Sequence, residues 1–266
     1  MHDALRADVR RPPNSAPIPP AIGYRAADRE PVPEPSTPMI PWEHLDSATV
    51  PRSRSELTLR RRGDEYSIRV DGQELMNSRV HGSEEALARI ACTRVAERAA
   101  ARILVGGLGM GFTLRAALRH LRADAQVTVA ELAPAVVRWN REYLGDFAER
   151  PLDDARVAVV EGDVAELIAA EVNAWDAIIL DVDNGPEGFT RGANDWLYGR
   201  AGLVVTLRAL RAGGVLAVWS ASPDRAFTQR LQQSGFVVED YRVPAGPSGG
   251  GKHTIWIATR PRPRGS

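Results

Sequence analysis

Three glycines at every second position, Gly107, Gly109 and Gly111, follow the apolar run Ile103-Leu104-Val105-Gly106. A helical pattern starts at once, with Phe112, Leu114, Ala117, Leu118 and Leu121 on one face. A buried strand, a glycine turn and a helix in immediate succession form the first unit of a doubly wound α/β sheet. Without Cβ atoms the turn lets a ligand approach the backbone closely. That ligand then lies beside the helix N-terminus, at the carboxyl end of the strand.

The details of the turn narrow the ligand. A dinucleotide fingerprint reads G-x-G-x-x-G, and here its last glycine is replaced by Phe112. No G-x-x-x-x-G-K-[ST] occurs, so there is no nucleoside-triphosphate P-loop. Glu131 stands 20 residues after Gly111 and ends the apolar run Val127-Thr128-Val129-Ala130. An acid at that place accepts ribose hydroxyls. A further strand, Val157-Ala158-Val159-Val160, leads into Glu161-Gly162-Asp163, where Asp163 is placed to accept from an adenine amino group. Taken singly, each feature also suits an ordinary turn or helix cap. In this order they suit S-adenosylmethionine or a close derivative.

The same α/β alternation runs to the end of the 266-residue chain. Strands are expected near 102–107, 126–131, 156–160, 176–181 and 214–219, and helices near 111–122, 133–144, 163–171, 195–211 and 223–234. Gly235–Glu239 and His253–Ala258 have no helical pattern between them and should pair as an antiparallel hairpin. The expected fold is therefore α/β, a mostly parallel seven-stranded sheet closed by a terminal hairpin, in the manner of class I methyltransferase-like Rossmann domains. Before it, Glu56–Arg60, Glu65–Val70 and Gln73–Met76 alternate around turn signals and predict a small antiparallel β-meander, with Arg60-Arg61-Arg62 at a hairpin tip. Ser83 is the expected N-cap of the helix that follows, and Leu87, Ile90, Ala91 and Val95 its buried face. The expected division is a proline-rich, unstructured leader over 1–41, the β-domain over 42–82, the cofactor-binding domain over 83–260 and a tail over 261–266.

Composition bears mainly on partners. Lys+Arg and Asp+Glu both number 34, which gives no support to a nucleic-acid partner. No apolar run approaches the roughly 20 residues that span a bilayer, and a cytoplasmic protein is expected. The one cysteine, Cys92, falls on an apolar helix face, and the five histidines lack ligand spacing, so no metal is expected.

The chemistry concentrates after Ala177-Ile178-Ile179-Leu180, a fully apolar run read as a central strand. It ends in Asp181-Val182-Asp183-Asn184-Gly185-Pro186, across the crevice from the glycine turn. Asp181, nearest the sheet, is placed to orient an amine nucleophile and accept its proton. The alternative is a structural loop capped by Asp183 or Asn184. Glu187 to Asn194 reads as a mobile segment over the site, and Trp196 and Tyr198 either line a substrate pocket or pack in the core.

From about Trp42 to Thr259 the chain resembles the spermidine synthase (polyamine aminopropyltransferase) family. The resemblance is carried by ILVGGLGMGFTLRAALRH, VTVAEL, VVEGDV, WDAIILDVDNGP and RAGGVLAV. It implies an N-terminal β-domain, a methyltransferase-like Rossmann domain, a small-molecule acceptor and a homodimer. It further implies a site in which Gly107, Gly109, Met110 and Gly111 surround the cofactor, Glu131 holds the ribose, Asp163 holds the adenine amino group, and Leu132 and Val164 flank the base. Asp181 would be the base, and Asp183, Asn184, Glu84 and Tyr198 would face the acceptor.

Three departures qualify this, and one is the family's tyrosine-containing segment before the Rossmann part, which here reads His81-Gly82-Ser83-Glu84-Glu85-Ala86-Leu87. The family's glycine turn contains an aspartate that holds the ammonium of decarboxylated S-adenosylmethionine, and Met110 stands in its place. An acid there repels the carboxylate of full S-adenosylmethionine, and methionine removes that repulsion. The family's acidic loop is also thinned, its second acid aligning with Asn184, although Asp181, Asp183, Glu84 and Glu85 partly replace the charge. The expected reaction is methyl transfer from S-adenosylmethionine to an amine-containing small molecule. Aminopropyl transfer from the decarboxylated donor is the alternative, and a nucleoside-binding module without turnover is the third reading.

Overall fold

The computed structural model describes residues 40–182, 195–246 and 249–263. The leader up to Met39, Asp183, Asn184 and the segment Glu187–Asn194 lie outside the described residues.

Four strands come first: β1 (Glu43–Thr49), β2 (Glu56–Arg62), β3 (Glu65–Val70) and β4 (Gln73–Asn77). They pair antiparallel in chain order. Strand β1 is not marked by the sequence pattern, because its polar EHLDSAT sequence forms an exposed edge. The arginine run is not a hairpin tip. Strand β2 extends through Arg62, Arg61 pairs with Glu43 at 2.8 Å, and the Arg62 guanidinium stacks 4.6 Å from the Trp42 ring. Leu57, Leu59 and Ile68 are buried and join the core shared with the larger sheet.

Helix α1 (Gly82–Thr93) leads into the α/β part: β5 (Arg102–Gly106), α2 (Phe112–His120), β6 (Gln126–Glu131), α3 (Pro134–Trp139), β7 (Val157–Glu161), α4 (Val164–Ala170) and β8 (Trp175–Leu180). Further along come α5 (Asp195–Tyr198), α6 (Arg200–Ala209), β9 (Leu210–Ser220), α7 (Arg225–Gln233), β10 (Val237–Gly246) and β11 (Gly249–Thr259). The helix expected over 195–211 is thus two helices parted at Gly199, and β9 begins at Leu210, earlier than its apolar part suggests. Ser83 is not the cap of α1. It lies inside the first turn and is buried, and His81 occupies the cap position.

The seven strands are ordered β10-β11-β9-β8-β5-β6-β7. Strands β5 to β9 are parallel, and β10 and β11 form the expected antiparallel hairpin at one edge. All six residues of β8 are buried, as a strand covered on both faces requires. One core cluster, with Leu87, Leu114, Val137 and Trp139, lies under α1, α2 and α3; a second, with Ile168, Leu203, Phe227 and Leu231, lies under α4, α6 and α7. Chain order reverses between the adjacent strands β5 and β8, and ligands bind outside the carboxyl ends of such a pair. Gly106 and Leu180 are register partners there, so the glycine turn and Asp181 emerge side by side.

Candidate active site

Gly107, Gly109 and Gly111 all have positive φ, at 87°, 52° and 87°. Two side chains fasten the turn they make. Glu131, at the end of β6, accepts from the Leu108 N–H through Oε2 and from the Ala133 N–H through Oε1, each at 2.9 Å. Asn140 donates through Nδ2 to the Gly109 carbonyl at 2.7 Å and to the Val136 carbonyl at 2.9 Å. Asn140 opens the π-helical turn Asn140–Leu144 that continues α3. Sequence reasoning missed it, although a buried asparagine in an otherwise apolar helix face was a usable signal. Met76 of β4 lies over the turn, since a Cβ on Gly109 would stand 2.8 Å from its Cε.

Asp181 continues the strand pairing, its N–H donating to the Gly106 carbonyl at 2.9 Å. Its Oδ2 accepts from Thr113 Oγ1 at 2.5 Å, and the same hydroxyl lies 3.5 Å from the Glu84 carbonyl. Thr113 on α2 therefore ties Asp181 to the first turn of α1. Burial pushes the Asp181 carboxyl up to about 6, opposed by the Thr113 bond. Burial, and then the negative charge of Asp181, push Glu84 up to about 7, opposed by its bond from Ser83. Two acids with raised pKa values thus stand together at the switch point, where such groups mark functional sites.

The pair makes stability depend on pH. A carboxyl whose folded pKa is raised contributes stability that is present below its unfolded pKa, near 4, and is lost as pH rises through the folded value. Here that window lies between about pH 4 and 7. Glu84→Gln removes one member, so its stability relative to the parent should improve by about 2–3 kcal/mol between pH 5 and pH 8, each pH unit inside the window being worth about 1.4 kcal/mol. Thermal unfolding at the two pH values checks this, and a constant offset between the proteins would contradict it.

The other expected site residues are distributed differently. Asp163 caps α4, accepting from the Ala165 N–H at 2.9 Å, and accepts from Arg52 Nη1 at 2.8 Å. Arg52, from the β1–β2 turn, also reaches Glu166 at 2.9 Å. Val164 is buried and lies against Gly106, while Leu132 is half-buried next to Glu131. Met110 is 2% exposed and belongs to the larger apolar core. Tyr198 is also buried, its ring edge-on to Phe227 at 5.7 Å, which favours core packing for it. Trp196 is 40% exposed. Cys92 is a fully buried thiol pushed up to about 12 by burial. Among the described residues no cluster of His, Cys, Asp and Glu could hold a metal, and no helix is long and apolar enough to cross a membrane.

Comparison with known proteins agrees with this geometry. The family model described as the spermine/spermidine synthase domain matches residues 81–233, more than half of the chain. The chain belongs to the spermine/spermidine synthase family. A polyamine aminopropyltransferase of Ruegeria sp. (strain TM1040) is 32% identical over 133 residues, covering 48% of this chain and 43% of the relative. Putrescine N-methyltransferase 2 of Nicotiana tabacum is 33% identical over 124 residues, covering 46% of this chain and 33% of the relative. The chain therefore matches less than half the length of these curated relatives. The crystal structure of spermidine synthase from Thermotoga maritima superposes with a TM-score of 0.64 at 19% identity, covering 82% of this chain and 72% of that one, which establishes the shared fold. The family match begins at His81 and so takes in α1, the source of Glu84, together with the glycine turn and Asp181.

Proposed function

We propose that this chain alkylates an amine nitrogen of a small polyamine-like acceptor, using an adenosyl sulfonium as donor, and that the transferred group is aminopropyl. The carrying observation is the pair of raised carboxyls, Asp181 and Glu84, beside the glycine turn. The curated polyamine aminopropyltransferases support the reading.

The residues fit such a donor. The glycine turn packs closely against Asp181 and Met76 where Cβ atoms would stand, and Glu131, the expected ribose acceptor, is fixed by two backbone N–H groups. The sulfonium supplies a carbon–sulfur bond already activated for displacement, so positioning carries most of the catalysis. Asp181, held by Thr113, orients the acceptor ammonium and takes one of its protons, leaving a lone pair for attack. Glu84 adds a second charge for a cationic acceptor. When such a cation binds, both acids favour their ionised forms, and protons leave the site.

Methyl transfer is the second reading. Met110 favours it, because the thioether offers no charge to the ammonium of a decarboxylated donor, and the putrescine N-methyltransferases lend it support. That reading expects S-adenosylmethionine to bind at least tenfold more tightly than its decarboxylated form, a difference of about 1.4 kcal/mol. Incubation with putrescine and each donor separately, followed by mass spectrometry, tests the two. An aminopropylated product from the decarboxylated donor is expected. A methylated product from S-adenosylmethionine alone would replace aminopropyl by methyl, and no product from either would favour the binding-module reading.

Glu131→Ala should weaken binding of either donor by roughly 1–3 kcal/mol, since two ribose hydroxyls lose their acceptor. It should also lower the melting temperature, because the Leu108 and Ala133 N–H groups lose theirs. Calorimetry and thermal unfolding check the two effects, and unchanged donor affinity would place the nucleoside elsewhere.

A further inference from the structure

Two polar side chains from distant parts of the chain meet behind the carboxyl pair. Ser83 is fully buried in the first turn of α1, and its hydroxyl donates to Glu84 Oε2 at 2.8 Å. The other contact of that hydroxyl is His253 Nδ1, also at 2.8 Å. His253 belongs to β11, 170 residues away in sequence, and its half-buried ring packs edge-on to Trp219 of β9 at 4.7 Å. From the nucleophile side outward the order is Asp181, Glu84, Ser83, His253. Thr113 ties the first two together through its 2.5 Å bond to Asp181 and its approach to the Glu84 backbone.

We infer that Ser83 and His253 form a proton exit from the Asp181–Glu84 pair to solvent. The inference rests on the alkyl-transfer reading given above for that pair. Alkylation of an ammonium releases one proton. The acceptor N–H bond breaks, its proton goes to the carboxyl pair and the freed lone pair forms the N–C bond. The C–S bond breaks as the N–C bond forms, its electrons going to sulfur, and the product leaves as an ammonium. The pair must lose that proton before the next turnover.

The chain of hydrogen bonds can carry it in one concerted shift. A protonated Glu84 donates to Ser83 Oγ, the Ser83 hydroxyl donates to His253 Nδ1, and His253 gives up the proton on Nε2. The shift leaves the Ser83 hydroxyl donating to Glu84 and the ring protonated on Nδ1, and tautomer exchange with solvent, which returns the ring proton to Nε2, restores the starting arrangement. The groups around the ring suit this. Burial, and then the Arg242 guanidinium on β10, hold the imidazole below its usual range, so it is neutral near pH 7 and able to accept. Glu84, reached through Ser83, is the charged group on the α1 side, and β9 contributes the Trp219 ring. Ser83 and His253 are thus positioning and relay residues that do not touch the acceptor.

The test uses the full chain and its His253→Ala and Ser83→Ala variants. Each is expected to lose about tenfold in kcat with donor affinity unchanged, and the double variant no more than either alone. The loss in His253→Ala should shrink as imidazole is added and as pH rises from 6 to 9. A purely structural role would respond to neither. Parent turnover in the variants, or a loss that imidazole and pH leave unchanged, overturns the relay. A readout independent of turnover separates the relay from the reaction: the titration of His253 followed by nitrogen-15 NMR. The relay requires its midpoint to move by at least a few tenths of a pH unit in Glu84→Gln and in Ser83→Ala. An immobile midpoint overturns the relay whatever the reaction proves to be. A parent that transfers nothing to any amine, yet shows the linked titration, fails the alkyl-transfer reading and leaves the hydrogen-bonded exit standing.

Discussion

Asp181→Asn is expected to lower turnover by about 10²–10⁴-fold, the range for loss of a general base. Donor affinity should change little, because Glu131 and the glycine turn are untouched. The substitution keeps the size of the side chain and an oxygen able to accept from Thr113, so the local frame survives. It removes the charge proposed to orient a cationic acceptor, and acceptor affinity should fall with the rate. It also removes the repulsion felt by Glu84, whose carboxyl then ionises at lower pH. The variant should therefore be no less stable than the parent near pH 7, since a buried negative charge has been replaced by a neutral amide. Rate, donor affinity and melting temperature measured together decide the matter. A variant that binds donor normally and keeps the parent rate removes Asp181 from the mechanism.

The parts of this site that are legible in the sequence are those whose signals are local. The glycine turn announces itself because positive φ at alternate positions leaves few residue types besides glycine. Glu131 and Asp181 are legible because each ends an apolar run, and strand ends in a parallel sheet point at one crevice. The α/β alternation carries the sheet order, because crossovers between parallel strands admit few topologies. What stays hidden is contact between remote segments. His253 and Ser83 have no sequence relation, and only the fold of β11 against α1 brings them to hydrogen-bonding distance. Ser83 reads as a cap because Ser-Glu-Glu before an apolar face is a helix-start pattern. The helix begins two residues earlier, with His81 at the cap, and the Ser83 hydroxyl is turned inward to Glu84 and His253. Asp163 shows the limit of a motif. Its position suits an adenine contact and equally the cap that it forms, and nothing in the local sequence foretells Arg52 reaching it from the first sheet.

Gly107→Ala should be the most damaging single-methyl change in the site. A Cβ at that position would lie 2.3 Å from the Asp181 carbonyl oxygen and 3.0 Å from its carbonyl carbon, on a backbone with φ of 87°. The obstacle is a peptide, not the end of a side chain, and the Asp181 N–H is bonded to the Gly106 carbonyl at 2.9 Å. Relief therefore requires β5 and the segment after β8 to part where the Asp181 carboxylate is set. Backbone strain and overpacking together give an expected loss of about 2–5 kcal/mol. Gly72 is the internal control: its φ is 81° and an added Cβ meets nothing within 4 Å. Gly72→Ala should show the conformational cost alone, about 1–2 kcal/mol. Gly109→Ala should fall between them, because its Cβ meets the flexible end of Met76. Urea unfolding of the three variants gives the order directly. If Gly107→Ala costs no more than Gly72→Ala, the close approach of the turn to Asp181 is not what demands glycine there. If the expected order holds, donor affinity and rate should fail together in Gly107→Ala but separately in Asp181→Asn, because only the former displaces both the turn and the carboxylate.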